Sequence, residues 1–217
     1  ISYFKEYMNQ KNGKNSLGLD LCFEDHDNPI DLFKNWFKKA EVTEINDPNA
    51  VALGTADKNN QPSVRMVLLK GLTDRGFVFY TNFNSKKGSD LKINQQASMC
   101  FHWKSLRRQV RVIGKVEQVT EKEADDYFNS RPYKNRVSAW ASSQSEKLES
   151  RDIFLNKIKE FEKKYPDQNK VPRPAHWSGW RILPQEIEFW LDGEGRIHER
   201  LNYINAGNKW KKEILYP

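Results

Sequence analysis

The chain has 217 residues, enough for one large domain with a sizeable core, and its 37% hydrophobic and 12% aromatic content excludes a disordered composition. Thirty-six Lys and Arg against 29 Asp and Glu give a net charge of +7, which favours an anionic partner; both signs are interspersed, so there is no basic arm of the kind that binds nucleic acid. No apolar run approaches the ~20 residues that span a bilayer. The two cysteines, Cys22 and Cys100, show neither a disulfide framework nor a metal-ligand spacing with the four histidines, which fits a cytoplasmic setting without a metal.

Residues 1–28 are polar and irregular and read as a flexible N-terminal arm; the first of them resemble neither a signal nor a transit peptide. Residues 29–217 read as a single domain. Asn28 caps a helix opened by Pro29, with Leu32, Phe33, Trp36 and Phe37 on one apolar face. From Val51 the period changes to two, predicting strands over 51–56, 64–70, 76–81, 97–103 and 108–119, with a loop over 72–76, a short helix over 89–94 and a bulge at Gly114. Thr120 to Glu123 has the pattern of a capping box and starts a helix through about 129, stopped by Pro132. A second helix covers 135–141. A third, capped by Ser150, carries Ile153, Phe154, Ile158 and Phe161 on its apolar face. Strands over 177–183, 186–191, 196–204 and 210–215 finish the chain. Six or more strands follow one another without a helix between each pair. The fold class is therefore mainly antiparallel β with peripheral helices (α+β), as a sheet or barrel, and not a doubly wound parallel fold.

Chemistry must come from a bound cofactor, because no phosphate-loop glycine pattern, Rossmann fingerprint or nucleophile elbow is present. Cationic clusters carry the clearest signals. Arg65 and Lys70 bracket the apolar run Met66, Val67, Leu68 and Leu69; ordinary strand-end charges are the alternative. Tyr80 and Thr81 end a strand just before Ser85, Lys86 and Lys87 at a helix start, a phosphate site without a P-loop. Arg107, Gln109 and Arg111 alternate onto one strand face. Tyr127 and Arg131 stand four apart on a helix and share a face. Gln144 and Ser145 add small polar contacts. Asp192-Gly193 reads as a tight hairpin turn, after which Arg196, His198 and Arg200 fall on one strand face, suited to a planar anionic ligand or, alternatively, to solvent.

These segments resemble, in order, those of the pyridoxine/pyridoxamine 5′-phosphate oxidases: Arg65 to Lys70, Phe79 to Asn82, Ser85 to Lys87, Arg108 to Arg111, Ser130 to Pro132, Ala139 to Ser142, Gln144-Ser145, Glu188 to Trp190, Arg196 to Arg200 and the ending Leu215-Tyr216-Pro217. The similarity spans roughly residues 29–217. It implies a homodimer of FMN-binding split β-barrels, with FMN at the subunit interface. The implied activity is oxidation of pyridoxine or pyridoxamine 5′-phosphate to pyridoxal 5′-phosphate by O2, producing H2O2. The implied FMN set is Arg65, Met66, Val67, Leu68, Leu69, Lys70, Tyr80, Thr81, Lys86, Lys87, Gln109, Gln144, Ser145, Trp190 and Arg200. The implied substrate set is Lys70, Tyr127, Arg131, Asn135, Arg196 and His198, the last two being the catalytic pair. The chain departs from the family pattern at Asn135, usually Ser, at Arg136-Val137-Ser138, at Leu191 and at Ile197. A flavin- or pyridoxal-phosphate-binding split barrel without oxidase activity is the alternative.

Overall fold

The computed structural model describes residues 13–217; expectations for residues 1–12 lie outside the described residues. Helix α1 (Pro29–Thr43) opens as expected, the Asn28 side chain accepting from the Ile30 N–H. Strands β1 (Ala50–Ala56), β2 (Pro62–Leu68), β3 (Gly71–Thr73) and β4 (Gly76–Asn82) lead to α2 (Lys86–Ile93), then β5 (Gln96–Trp103) and β6 (Arg108–Gln118). Helices α3 (Glu121–Ser130), α4 (Tyr133–Ala141) and α5 (Arg151–Lys164) follow. The chain closes with β7 (Trp177–Leu191), β8 (Glu199–Asn205) and β9 (Trp210–Ile214). All pairings are antiparallel, in the order β2-β1-β5-β6-β7-β4-β3, with β8 and β9 added beside β7.

Aromatic packing on α1 shows how far this sheet curls. Phe33 meets Phe77 of β4 at 4.9 Å and Phe101 of β5 at 5.0 Å, although β6 and β7 lie between those strands in the sheet. One helix face thus plugs a barrel, with Trp36 packed edge-on against Phe189 of β7. One core cluster runs from Leu19 to Tyr203, and Phe33, Trp36, Phe101 and Phe189 in it have no exposed surface. A second cluster holds α3 to α5 against the barrel through Phe128, Val137, Val171 and Trp177.

Several expectations are corrected. Residues 13–28 are not a loose arm: Leu19, Cys22 and Phe23 are buried, and Trp36 Nε1 donates to Cys22 O at 2.7 Å. The loop expected over 72–76 is instead a hairpin, β3 pairing with β4. Helix α2 starts three residues earlier than expected because Ser85 caps it, accepting from the Gly88 N–H. The two strands expected on either side of Pro184 are one strand. Pro184 is tolerated because the ladder shifts register between Ile113 and Gly114, and a Cβ on Gly114 would lie 2.0 Å from Leu183 O. Helix α5 has no buried residue, so its apolar face is only partly covered, through Ile158 and Phe161.

The last correction concerns the turn after β7. The β7–β8 ladder ends at Leu191 opposite Glu199, so the connection is the loop 192–198, with a 3-10 turn over Glu194–Arg196, and not a two-residue hairpin. Gly195 and Arg196 both take left-handed backbone angles (φ 64° and 66°), which end the strand alternation. Arg196 therefore does not share a strand face with His198 and Arg200.

Candidate functional site

Two cavities gather most of the predicted site residues. The first, of about 580 Å³, lies where the ends of β2 and β4 meet α2, α3, α4 and the segment after α4. Met66, Val67, Leu68, Lys70, Tyr80, Thr81, Lys87, Tyr127, Arg131, Asn135 and Gln144 line it, joined by Asn82, Ser142 and Trp177. Local chemistry fixes these walls. Asn82 Nδ2 donates to Ser142 O at 3.1 Å and holds the 142–145 segment over the end of β4. Thr81 Oγ1 and Lys87 Nζ both reach Gln144 Oε1, at 3.3 and 3.2 Å. Tyr80, Tyr127 and Trp177 form a cluster of near-parallel rings (Tyr80 to Tyr127 4.0 Å, Tyr80 to Trp177 5.4 Å, Tyr127 to Trp177 6.1 Å), and the Arg131 guanidinium lies 4.7 Å from the Trp177 ring centre.

The electrostatics of this cavity are one-sided. Among the described residues, no carboxylate forms an ion pair with Lys70, Lys87 or Arg131. Lys87 is only 9% exposed; burial, reinforced by the nearby Arg65 charge, pushes its ammonium from 10.5 down to about 8. Arg131 is also lowered by burial, and its Nη1 is buried without a hydrogen-bond partner. Buried cations in this state call for an anionic ligand.

The second cavity, of about 370 Å³, is lined by Gln109, Arg111, Glu188, Trp190, His198, Arg200 and Pro217. Glu188 is 3% exposed and takes Arg200 through Nε (2.8 Å) and Nη2 (3.0 Å), and Arg111 through Nη2. Burial alone would raise its carboxyl, but the hydrogen bonds from Arg200 and Arg111 outweigh burial and hold it below its ordinary value. The His198 ring lies 4.6 Å from Trp190.

Some expected site residues lie outside both linings. Leu69 is buried in the core. The Arg65 guanidinium donates to Leu53 O (3.1 Å), Thr55 Oγ1 (2.7 Å) and Ser63 Oγ (2.6 Å). Lys86 pairs with Asp90 at 2.7 Å. Ser145 is exposed with φ 76°, and Arg196 is exposed. Trp177 was missed because a strand-initial Trp reads as core; its sequence clue was the Pro-rich connector that delivers it to the helical side. Two departures are explained by packing: Arg136 is buried and donates to Gln168 O at 2.6 Å, and Val137 belongs to the second core cluster. Among the described residues there is no cluster of His, Cys, Asp and Glu fit for a metal, and no helix is long and apolar enough to cross a membrane.

A curled antiparallel sheet plugged by a helix, with a basic aromatic-walled cavity at its mouth, defines a split-barrel protein. The family described as pyridoxamine 5′-phosphate oxidase matches residues 37–165, and the pyridoxine 5′-phosphate oxidase C-terminal dimerisation region matches residues 177–217. A pyridoxine/pyridoxamine 5′-phosphate oxidase of Pelagibacter ubique is 59% identical over 207 residues, covering 95% of this chain and 100% of the relative. One of Agrobacterium fabrum is 51% identical over 197 residues, covering 90% of this chain and 95% of the relative. Among solved structures, PhzG from Burkholderia lata in complex with tetrahydrophenazine-1-carboxylic acid superposes with a TM-score of 0.85 at 30% identity, covering 94% of this chain and all of that one. A pyridoxamine 5′-phosphate oxidase-related, FMN-binding protein of Nostoc punctiforme, at 16% identity and a TM-score of 0.68, shares the fold; the match covers 85% of this chain and 97% of that one. The chain belongs to the pyridoxamine 5′-phosphate oxidase family.

Proposed function

We propose that the protein is an FMN-dependent oxidase that converts pyridoxine or pyridoxamine 5′-phosphate to pyridoxal 5′-phosphate, with O2 as acceptor and H2O2 as product. The observation that carries this reading is the pair of desolvated cations, Lys87 and Arg131, in one aromatic-walled cavity without a carboxylate partner. Two separate cationic positions suit two phosphates, one on the cofactor and one on the substrate.

The residues present fit FMN. Lys87, with Arg65 beside it, would hold the phosphate, Thr81 and Gln144 would add polar contacts, and Met66 to Leu68 would supply an apolar wall. Lys70, Tyr127, Arg131 and Asn135 would grip the substrate phosphate. Gln109, Trp190 and Arg200 would meet the flavin, and His198, with Arg196 from the adjoining loop, the substrate ring. The chemistry supplied by bound FMN is two-electron oxidation at the substrate's C4′ carbon, with the electrons passed on to O2. The chain's own contribution is alignment and exclusion of water.

This site needs two copies of the chain. Trp177 lines the first cavity and Trp190 the second, thirteen residues apart on β7. At ~3.3 Å per residue that is about 40 Å along a straight strand, shortened by the bend at Pro184 but beyond the reach of one small ligand. A homodimer with FMN at the interface, pairing one chain's first cavity with its partner's second, removes the gap; the matched dimerisation region supports it. A cytoplasmic setting agrees with two free thiols.

The test is direct. The purified protein should be yellow or become so with FMN, and should form pyridoxal 5′-phosphate and H2O2 from pyridoxine 5′-phosphate in air. A yellow protein that forms no product would leave only a flavin-binding role, and one that takes up no FMN would end both readings. Within the active protein, Arg131→Ala is expected to raise KM for the phosphorylated substrate about tenfold, the value of one charge-assisted hydrogen bond, while FMN retention is unchanged. Steady-state kinetics with flavin quantitation checks it.

A further inference from the structure

The loop 192–198 delivers His198 to the lining of the second cavity, and its internal bonding acts on that ring. The Gly193 N–H donates to His198 Nδ1 at 3.1 Å, while Asp192 Oδ1 stands beside the same nitrogen, also at 3.1 Å. Nε2 makes no hydrogen bond among the described residues, and the ring lies against Trp190. Gly193 can approach this closely only as glycine, since a Cβ there would lie 1.8 Å from Ile197 O. Asp192 is itself clamped from outside the loop. Its N–H donates to Arg107 O at 3.0 Å, and its Oδ2 accepts from Arg107 Nε at 2.8 Å and from Arg107 Nη2. Arg107 sits in the β5–β6 turn with a left-handed φ of 54°, a conformation that aims it at Asp192.

We propose that Asp192, clamped by Arg107, is a positioning residue that places the Gly193 N–H on His198 Nδ1 and so fixes the His198 tautomer with its proton on Nε2, available to an oxygen of the ring substrate. The tautomer of a histidine follows the bond made by its other nitrogen. A carboxylate on Nδ1 would draw the proton there; an N–H directed at Nδ1 requires a lone pair. The N–H of Gly193 has the hydrogen-bonding direction, and the Asp192 carboxylate is engaged through its other oxygen by Arg107. The remaining charged groups around this cavity, Glu188, Arg111 and Arg200, are occupied with one another, which leaves the loop to govern the ring. The inference rests on the oxidase reading for its catalytic consequence, though not for the tautomer itself.

Two measurements test it. In 15N-histidine-labelled protein without FMN, at about pH 8.5 where an ordinary imidazole is neutral, His198 should show a pyridine-type Nδ1 and a pyrrole-type Nε2. Asp192→Ala should average the two signals, and Asp192→Asn, which keeps an acceptor for Arg107, should largely restore the wild-type pattern. In the FMN-loaded protein, Asp192→Ala should lower kcat/KM for pyridoxine 5′-phosphate about tenfold, with FMN retention unchanged and partial recovery in Asp192→Asn. An unchanged 15N pattern in Asp192→Ala, or a wild-type His198 with its proton on Nδ1, would overturn the proposal. Equal loss of FMN and of turnover would also overturn it, by making Asp192 merely structural. If the wild-type protein oxidises no substrate, the function proposed above fails, and the 15N measurement still decides the clamp.

Discussion

Lys87→Met is expected to strip the protein of FMN, weakening retention about 100-fold, the upper range for one charge-assisted hydrogen bond to phosphate. Methionine keeps the length and the apolar stem, so the loss is of charge and not of packing. The same lysine gives cofactor binding a pH dependence of definite sign. In the free protein its ammonium loses its proton around pH 8, and the phosphate binds the charged form. Affinity should therefore fall as pH rises through about 8, and binding near that pH should take up roughly half a proton, measurable by calorimetry in buffers of different ionisation enthalpy. Stability of the FMN-free protein should move the other way. The unfolded chain keeps this proton to about pH 10.4, so between the two values it carries more protons than the folded chain. Stability should then rise with pH across that window in the wild type and lose that rise in Lys87→Met. Flavin retention equal to wild type in Lys87→Met would remove the anion site from its present place.

Glu188→Ala should be the most destabilising change in the second cavity. It leaves the half-exposed Arg111 and the partly buried Arg200 without their shared acceptor, at a cost of about 1–3 kcal/mol, or roughly 5 °C in Tm for a chain of this size. The pH signature has the same sign as that of the lysine, stability rising with pH, but it lies at the acid end of the range. The folded-state carboxyl of Glu188 is held below its ordinary value, so its stabilisation is present above about pH 4.3, the unfolded value, and is lost as pH falls through the folded one. Thermal unfolding at neutral and acid pH should show a steeper acid loss in wild type than in Glu188→Gln. Parallel curves would mean that the carboxylate contributes no net linkage.

Much of this architecture is legible without coordinates, for identifiable reasons. Strands β1, β5 and β6 alternate because one face is buried, and the capping box at Thr120 is a local signal that local structure obeys: its side chain and that of Glu123 bond reciprocally. What stayed hidden depends on distant partners. Pro184 reads as a strand break unless one knows that Gly114 faces it with a register shift. Asp192-Gly193 reads as a two-residue turn, but the ladder closes only at Leu191 and Glu199, which places Arg196 off the strand. Lys86 and Lys87 are indistinguishable as sequence neighbours. Only the helix phase sends one to Asp90 and the other into the cavity. The packing of residues 13–28 was concealed by polar composition, since only Leu19, Cys22 and Phe23 are buried, at no regular period.

The length of β7 has a consequence in terms of inheritance. With the site divided between two copies as proposed, each chain contributes its Trp177 end to one catalytic centre and its Trp190 end to the other. A pair built from one chain damaged at Lys87 and another damaged near Trp190 therefore holds one centre with both lesions and one with none. Two alleles, each inactive alone, would complement each other within the same gene, whereas two lesions at the same end of the strand would not.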